Sequence, residues 1–253
     1  MTRNLVVVLC FVACVLPAIV AAQTPHIIAV ESNRNLYEVN PATGVATPIG
    51  VVSSNAGTTG GLAIGASNTV YLSSTSLDSL FTLDVGTGAA TLVGAYGDSA
   101  IVMHGIEYVP ATDTLYGLSS HNNGLYEINK TTGAATLIGT SGLTSFSNIG
   151  WNSTTGVMYL TNSGADSFYT VDLATGATTL IGPLGTSTNP NGLAFDPDTG
   201  TLYMVDNSTD SFYSIDMGTG GATLIGATGM SNALGLAWLD GPIPVELQAF
   251  SVE

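Results

Sequence analysis

One phrase recurs five times along this chain, and the recurrence leaves little choice of fold. In its last copy it reads Phe212-Tyr213-Ser214-Ile215-Asp216, two free positions, Thr219-Gly220, then Thr223-Leu224-Ile225-Gly226. It also begins at Leu36, Leu80, Leu125 and Phe168, each time with Asn or Asp in the fifth place and Thr-Gly three and four residues later. A second phrase alternates with it: Gly61-Leu-Ala-Ile, Gly105-Ile-Glu-Tyr, Asn148-Ile-Gly-Trp, Gly192-Leu-Ala-Phe and Gly235-Leu-Ala-Trp, at intervals of 44, 43, 44 and 43 residues. Self-similarity at such a period marks a repeat architecture.

Each unit reads as four strands. In the fourth full unit they are Gly192–Phe195, Thr201–Asp206, Ser211–Asp216 and Ala222–Ile225. Period-2 alternation and enrichment in aromatic and β-branched residues say strand rather than helix. The turns have a mechanism too. Asp216 opens a tight turn in which its carboxylate accepts nearby backbone N–H groups, and Gly220 takes the positive φ that returns the chain. Asp196-Pro-Asp-Thr-Gly200 does the same between the first two strands. These repeated acidic residues are read as turn formers, not as ligands.

A repeated four-stranded unit of this length is the signature of a propeller blade. The N-terminal unit has only three strands, His26–Glu31, Asn35–Asn40 and Ala46–Gly50, and its missing innermost strand is Gly235–Leu239 at the far end of the chain. The expected fold is therefore an all-β five-bladed β-propeller over residues 24–240. It has four antiparallel strands per blade and is closed by N- and C-terminal strands sharing one blade. Pro48 fits this, because proline cannot donate to a ladder and the fourth strand of a blade is an outer edge. The innermost strands read Gly or Asn, Leu or Ile, a small residue in all copies but one, then an aromatic or Ile. The small side chains let the inner strands crowd near the axis, and the Leu and Tyr positions of the neighbouring strands are assigned to packing between blades.

With the unit in view, Leu202-Tyr-Met-Val-Asp-Asn207 followed by Tyr213-Ser-Ile-Asp216 and Thr219-Gly220 resembles the YVTN-type propeller repeat and related repeats of secreted bacterial propellers. The resemblance implies the fold and an extracellular, periplasmic or cell-surface location. It implies function poorly, since propellers host enzymes, lectins and scaffolds alike.

The ends agree with that location. Residues 1–22 carry one positive charge, an apolar run from Leu5 to Val20 and small residues before Gln23, as a cleaved signal peptide does. Sixteen apolar residues containing Pro17 are short for a retained span. Cleavage would remove both cysteines, Cys10 and Cys14, so the mature chain would hold itself together without disulfides. It would also leave Arg34 and Lys130 against 18 acidic residues, a net charge of −16. Such a field repels phosphate backbones, which excludes nucleic acid as a partner. Residues 241–253, with Pro242-Ile-Pro244-Val-Glu-Leu-Gln-Ala-Phe250, read as a tail or linker resembling the junction before sorting regions of bacterial surface proteins. The closed ring is taken to act as a monomer.

Site candidates come from loops at the mouth where the inner strands begin, and from departures from the repeat. Glu107 stands where other copies have Ala63, Gly150, Ala194 and Ala237, and a carboxylate buried there needs a partner. His104 and the loop His121-Asn122-Asn123 belong to the same unit, with Asp98 in the loop before it. Together they offer a metal or proton-transfer site, against the plainer reading of loop residues with local hydrogen bonds. A second set is the ring Arg34, Asp78, Asn123, Asp166 and Asp210. Its three carboxylates would attract Ca²⁺ or sugar hydroxyls, or simply form connecting turns. No Gly-x-Ser-x-Gly elbow appears, and a pair of carboxylates for glycoside hydrolysis is not evident. The favoured reading is a secreted binding module for a carbohydrate or surface protein. The alternatives are a hydrolase or lyase using Glu107, His104 and His121, and a purely structural envelope protein.

Overall fold

The computed structural model describes residues 26–145, 147–185 and 189–241. Within them the chain forms five four-stranded antiparallel sheets. The first contains β1 (His26–Glu31), β2 (Asn35–Val39) and β3 (Ala46–Val51). The second runs β4 (Thr59–Ile64), β5 (Val70–Ser74), β6 (Ser79–Leu83) and β7 (Ala90–Ala95), and the third β8 (Met103–Val109), β9 (Thr114–Ser119), β10 (Gly124–Ile128) and β11 (Ala135–Thr140). The fourth is β12 (Ser147–Asn152), β13 (Val157–Asn162), β14 (Ser167–Val171) and β15 (Thr178–Pro183). The fifth is β16 (Pro190–Asp196), β17 (Thr201–Asp206), β18 (Ser211–Ile215) and β19 (Ala222–Ala227), after which β20 (Ala233–Leu239) returns to the first sheet.

The ring closes as the sequence predicts. Strand β20 lies antiparallel to β1, with Leu236 opposite Ala29 and Trp238 opposite Ile27. A buried clasp reinforces the seam. Glu31, 1% exposed, accepts hydrogen bonds from the Ser231 N–H at 2.6 Å and from Asn35 Nδ2 at 2.7 Å. Ser32 N–H meets the Asn232 carbonyl at 3.1 Å beside it. The buried polar residues Ser74, Ser119, Asn162 and Asp206 occupy the corresponding strand end in the other blades. There Asn162 Nδ2 donates to the Thr144 carbonyl, and the Asp206 carboxylate accepts the Asn189 N–H.

Apolar side chains fill the wedges between blades. Ile28, Val30 and Leu36 of the first blade, for example, pack with Leu62, Leu72 and Phe81 of the second, all but completely buried. Each such burial contributes about 1.5–3 kcal/mol. The turn phrase behaves as read: Asp216 Oδ1 accepts the N–H groups of Gly218 and Thr219, and Gly220 has φ +83°. It has a second role that the repeat alone did not reveal. In four of the five copies the glycine ending the strand seats the Thr-Gly turn of the next blade, so a Cβ on Gly94 would stand 1.9 Å from the Thr132 carbonyl oxygen, and one on Gly226 2.2 Å from that of Thr43; at the first blade Gly50 has open space and the Gly88 turn meets Val51 instead. At those four junctions the strand end of one copy receives the turn of the next copy of the same phrase. Outside this contact the fourth strand is an edge: Pro48 in β3 faces only Tyr37 of β2.

The inner strands approach closely at the axis. A Cβ on Gly61, Gly105, Gly192 or Gly235 would lie 2.6–2.9 Å from backbone atoms of the neighbouring inner strand. Only the fourth blade carries a side chain here, Asn148, and it crosses the channel. Its Nδ2 donates to the His104 carbonyl at 3.1 Å and to the Leu234 carbonyl, two blades away, at 3.2 Å. The channel thus has two separate mouths. The expected signal peptide, residues 1–22, and the expected tail or linker from Pro242 onward lie outside the described residues.

Candidate functional site

The mouth where the inner strands end holds an aromatic pocket. The last position of the inner-strand phrase is Ile64, Tyr108, Trp151, Phe195 or Trp238, and four of the five line a cavity of about 170 Å³. One residue deeper on their strands, Glu107, Ala194 and Ala237 line it too, with Asp240 at its edge. The chain has two tryptophans, and both are here, half-buried. Tyr108 is occupied elsewhere: its hydroxyl donates to Asp113 Oδ1 at 2.6 Å, and Lys130 Nζ lies 5.0 Å from its ring centroid while pairing with Asp113.

Glu107 is the ionisable group inside this pocket. Its Oε1 accepts the Tyr108 N–H at 2.9 Å, and the Trp151 N–H of the next blade also donates to the carboxylate. Both N–H groups belong to innermost strands, whose inward edge has no strand partner, so the side chain supplies what the ladder does not. Burial pushes the Glu107 carboxyl up to about 8, and the two N–H groups offset only part of that. The residue is half-buried, its exposed part lining the pocket. Protein encloses it on its other sides, so the ion is poorly hydrated and the carboxyl is mostly protonated at neutral pH.

The opposite mouth is lined by amides. Asn189, Asn191, Asn207, Asn232, His104 and Leu234 surround about 200 Å³. Much of that polarity is spent internally: Asn207 Nδ2 donates to Asn232 Oδ1 at 2.7 Å and Asn191 Nδ2 to the Asn189 carbonyl at 3.1 Å. His104 Nδ1 meets Ser120 Oγ at 2.9 Å, and burial lowers its imidazole to about 4, so the ring is neutral at physiological pH.

The constellation expected around Glu107 is therefore divided. Glu107 opens on the aromatic pocket and His104 on the amide pocket, three residues apart on one extended strand, or about 10 Å. His121 is exposed and close enough to His104 and Asp78 to influence both electrostatically, whereas Glu107 feels neither histidine. A site combining Glu107 with His104 and His121 is not assembled. The separation follows from strand geometry, because residues at opposite ends of an inner strand serve opposite mouths.

The remaining candidates scatter around the first face. Asp78 and Asp98 line one shallow pocket, where burial and the Asp98 charge raise the Asp78 carboxyl and His121 opposes them. Asn122 is engaged, its Nδ2 donating to the Tyr126 hydroxyl at 2.6 Å. Arg34, Asp78, Asn123, Asp166 and Asp210 all have positive φ, between 45° and 80°. Each carbonyl accepts an N–H from the residue eighteen positions on, such as Tyr96 on Asp78 and Thr228 on Asp210. The ring is built of left-handed turn residues, which Asp and Asn tolerate best after glycine. Among the described residues no group of three or more His, Cys, Asp or Glu is placed to hold a metal ion.

What sequence reasoning missed was the aromatic pocket and the Asn148 plug. The signals were present: both tryptophans share one repeat position, and Asn148 replaces glycine in one copy of five.

Solved structures of the same shape are propellers of varied origin. A chain from the crystal structure of a nidogen/laminin complex superposes with a TM-score of 0.59 at 14% identity, covering 85% of this chain and 98% of that one. A protein of unknown function from Bacteroides thetaiotaomicron gives 0.57 at 17% identity, covering 81% and 58%. Virginiamycin B lyase from Staphylococcus aureus gives 0.53 at 14% identity, covering 87% and 78%. At these identities the likeness shows the fold alone. No curated protein sequence matches significantly. A family model does match, over residues 80–241, well over half of the chain, and the chain belongs to that family, described as a repeat of unknown function (DUF6923).

Proposed function

We propose that this propeller is a binding module acting outside the cell, and that its ligand site is the aromatic mouth where the inner strands end. The observation that carries the reading is the placement of both tryptophans, with Phe195 and Glu107, around one cavity of about 170 Å³. Binding sites are concave and mostly apolar, with a few polar groups that fix orientation. Tryptophan is also the residue most enriched among side chains that dominate binding energy. The position itself carries Ile, Tyr, Trp, Phe and Trp in the five copies, so the ring does not demand one side chain there.

Propellers of like shape include one from a nidogen/laminin complex and one lyase, so the fold admits both a binder and an enzyme. The division of Glu107 from the histidines favours the binder. The ligand is a carbohydrate or a surface protein. Secretion is part of the proposal and rests on the leader-like residues 1–22. The full-length protein, screened on a glycan array and against surface proteins, is expected to retain a ligand that is lost in Trp151→Ala/Trp238→Ala. A ligand held equally by that variant would refute this placement of the site.

A further inference from the structure

Glu107 is a residue the ring does not require. Four blades place Ala63, Gly150, Ala194 or Ala237 at the same position and close the same way. A carboxylate there carries a desolvation cost that is normally offset by a neighbouring cation. Among the described residues no basic side chain fills that role. Lys130 pairs with Asp113, Arg34 reaches the Ser54 carbonyl, His26 pairs with Glu38, His104 lines the other mouth, and His121 is exposed near His104 and Asp78.

Around this carboxylate stand the aromatic side chains of Trp151, Phe195 and Trp238, and a second carboxylate, Asp240, also lines the pocket. Aromatic faces attract cations through their quadrupole, tryptophan most strongly. The chain's net charge of −15 adds a long-range field of the same sign. We propose that the pocket takes an organic cation, the ammonium or guanidinium head of a lysine or arginine side chain presented by a protein partner, with Glu107 as counter-ion and Trp151, Phe195 and Trp238 as walls. The inference rests on the reading of this mouth as the ligand site and narrows it to one chemistry. On binding, the Glu107 carboxyl gives its proton to solvent and the carboxylate pairs with the incoming cation.

Other titratable groups surround the pair. Asp240 lies at the end of β20 and Asp196 is held in its own turn after β16. Tyr108 is next to Glu107 on β8, with Asp113 and Lys130 behind it, and Tyr116 is opposite on β9. Glu107→Gln removes the one among them assigned the counter-ion role.

The test is calorimetric titration of the full-length protein with the acetylated methylamides of lysine and arginine, and with the neutral norleucine analogue. Tryptophan emission is read in parallel. The cationic amides are expected to bind at least about tenfold more tightly than norleucine. Glu107→Gln should weaken them about tenfold and leave norleucine unchanged. Wild-type affinity should rise as pH increases through about 8, and binding at pH 7 should release a proton, visible as a dependence of the heat on the buffer's ionisation enthalpy. That pH slope should be absent in Glu107→Gln.

Equal binding of norleucine, an unchanged Glu107→Gln, or no binding of either amide at millimolar concentration would overturn the proposal. Glucosamine that binds where the lysine amide does not would overturn the side-chain assignment while keeping the pocket. A partner retained by Trp151→Ala/Trp238→Ala would instead remove the site itself.

Discussion

The two mouths of this ring are built by opposite means. One is lined from loops and from the first residues of the inner strands, by asparagines whose polar atoms largely satisfy one another, above the Asn148 bridge. The other is lined mainly by two adjacent repeat positions at the ends of the inner strands, with Pro110, Ser153, Pro197 and Asp240 from the turns that follow, and it sets aromatic side chains around an acid that has no basic partner among the described residues. Loop variability therefore pointed to the mouth whose polarity is absorbed by structure. The mouth with unspent chemistry lies on the repeated strands of the frame. Rigid elements hold side chains more precisely than loops do, so a site needs no loop to be specific.

The largest expected effect follows directly. Trp151→Ala/Trp238→Ala should weaken the retained ligand a hundredfold or more, at about 2 kcal/mol or above for each buried aromatic anchor. Asn191→Ala/Asn232→Ala should change affinity less than threefold while lowering the melting temperature. The reverse pattern would exchange the roles of the mouths.

Next comes the clasp on the amide side. Glu31→Ala should cost about 3 kcal/mol in urea denaturation, because it leaves Ser231 and Asn35 without their buried acceptor. Burial acts to raise the Glu31 carboxyl, but hydrogen bonds from Ser231, Asn35 and Asn33 together hold it below the usual value. Its contribution is thus present above the ordinary glutamate range and is lost as pH falls through the depressed folded value. Glu31→Gln should flatten the acid limb of the stability profile.

Glu107→Ala should act in the other direction, by about 1 kcal/mol of added stability at pH 9. Its folded carboxyl is raised to about 8, so the penalty is absent below the ordinary glutamate value and develops as pH rises through about 8. A gain in stability accompanied by loss of the ligand is the signature of a functional residue. The smallest effect is expected at Asp166→Gly, where the left-handed turn at φ +45° suits glycine: less than about 0.5 kcal/mol, with ligand binding unchanged.

The frame was legible in the sequence because repetition makes each unit a control for the next. Strand count, the shared blade, the edge role of Pro48 and the turn role of Asp216 all came from comparing copies. The seating of Gly94 on the Thr132 turn did not, since the recurrence of a phrase does not say that its copies touch. Glu107 stood out as a departure, yet a one-dimensional reading grouped it with His104, because proximity in sequence says nothing about which end of a strand a pocket opens on. Trp151 and Trp238 drew no separate reading, because an aromatic at a strand end looks alike in sequence whether it packs on a neighbour or, as both do here, also lines a cavity.

Both tryptophans of the chain report on one pocket, so their emission tests the central claim most directly. When the retained partner is added to the full-length protein, the account predicts a shift and partial quenching of tryptophan emission that saturates with the affinity measured by calorimetry. Calorimetric binding with no change in emission would contradict it.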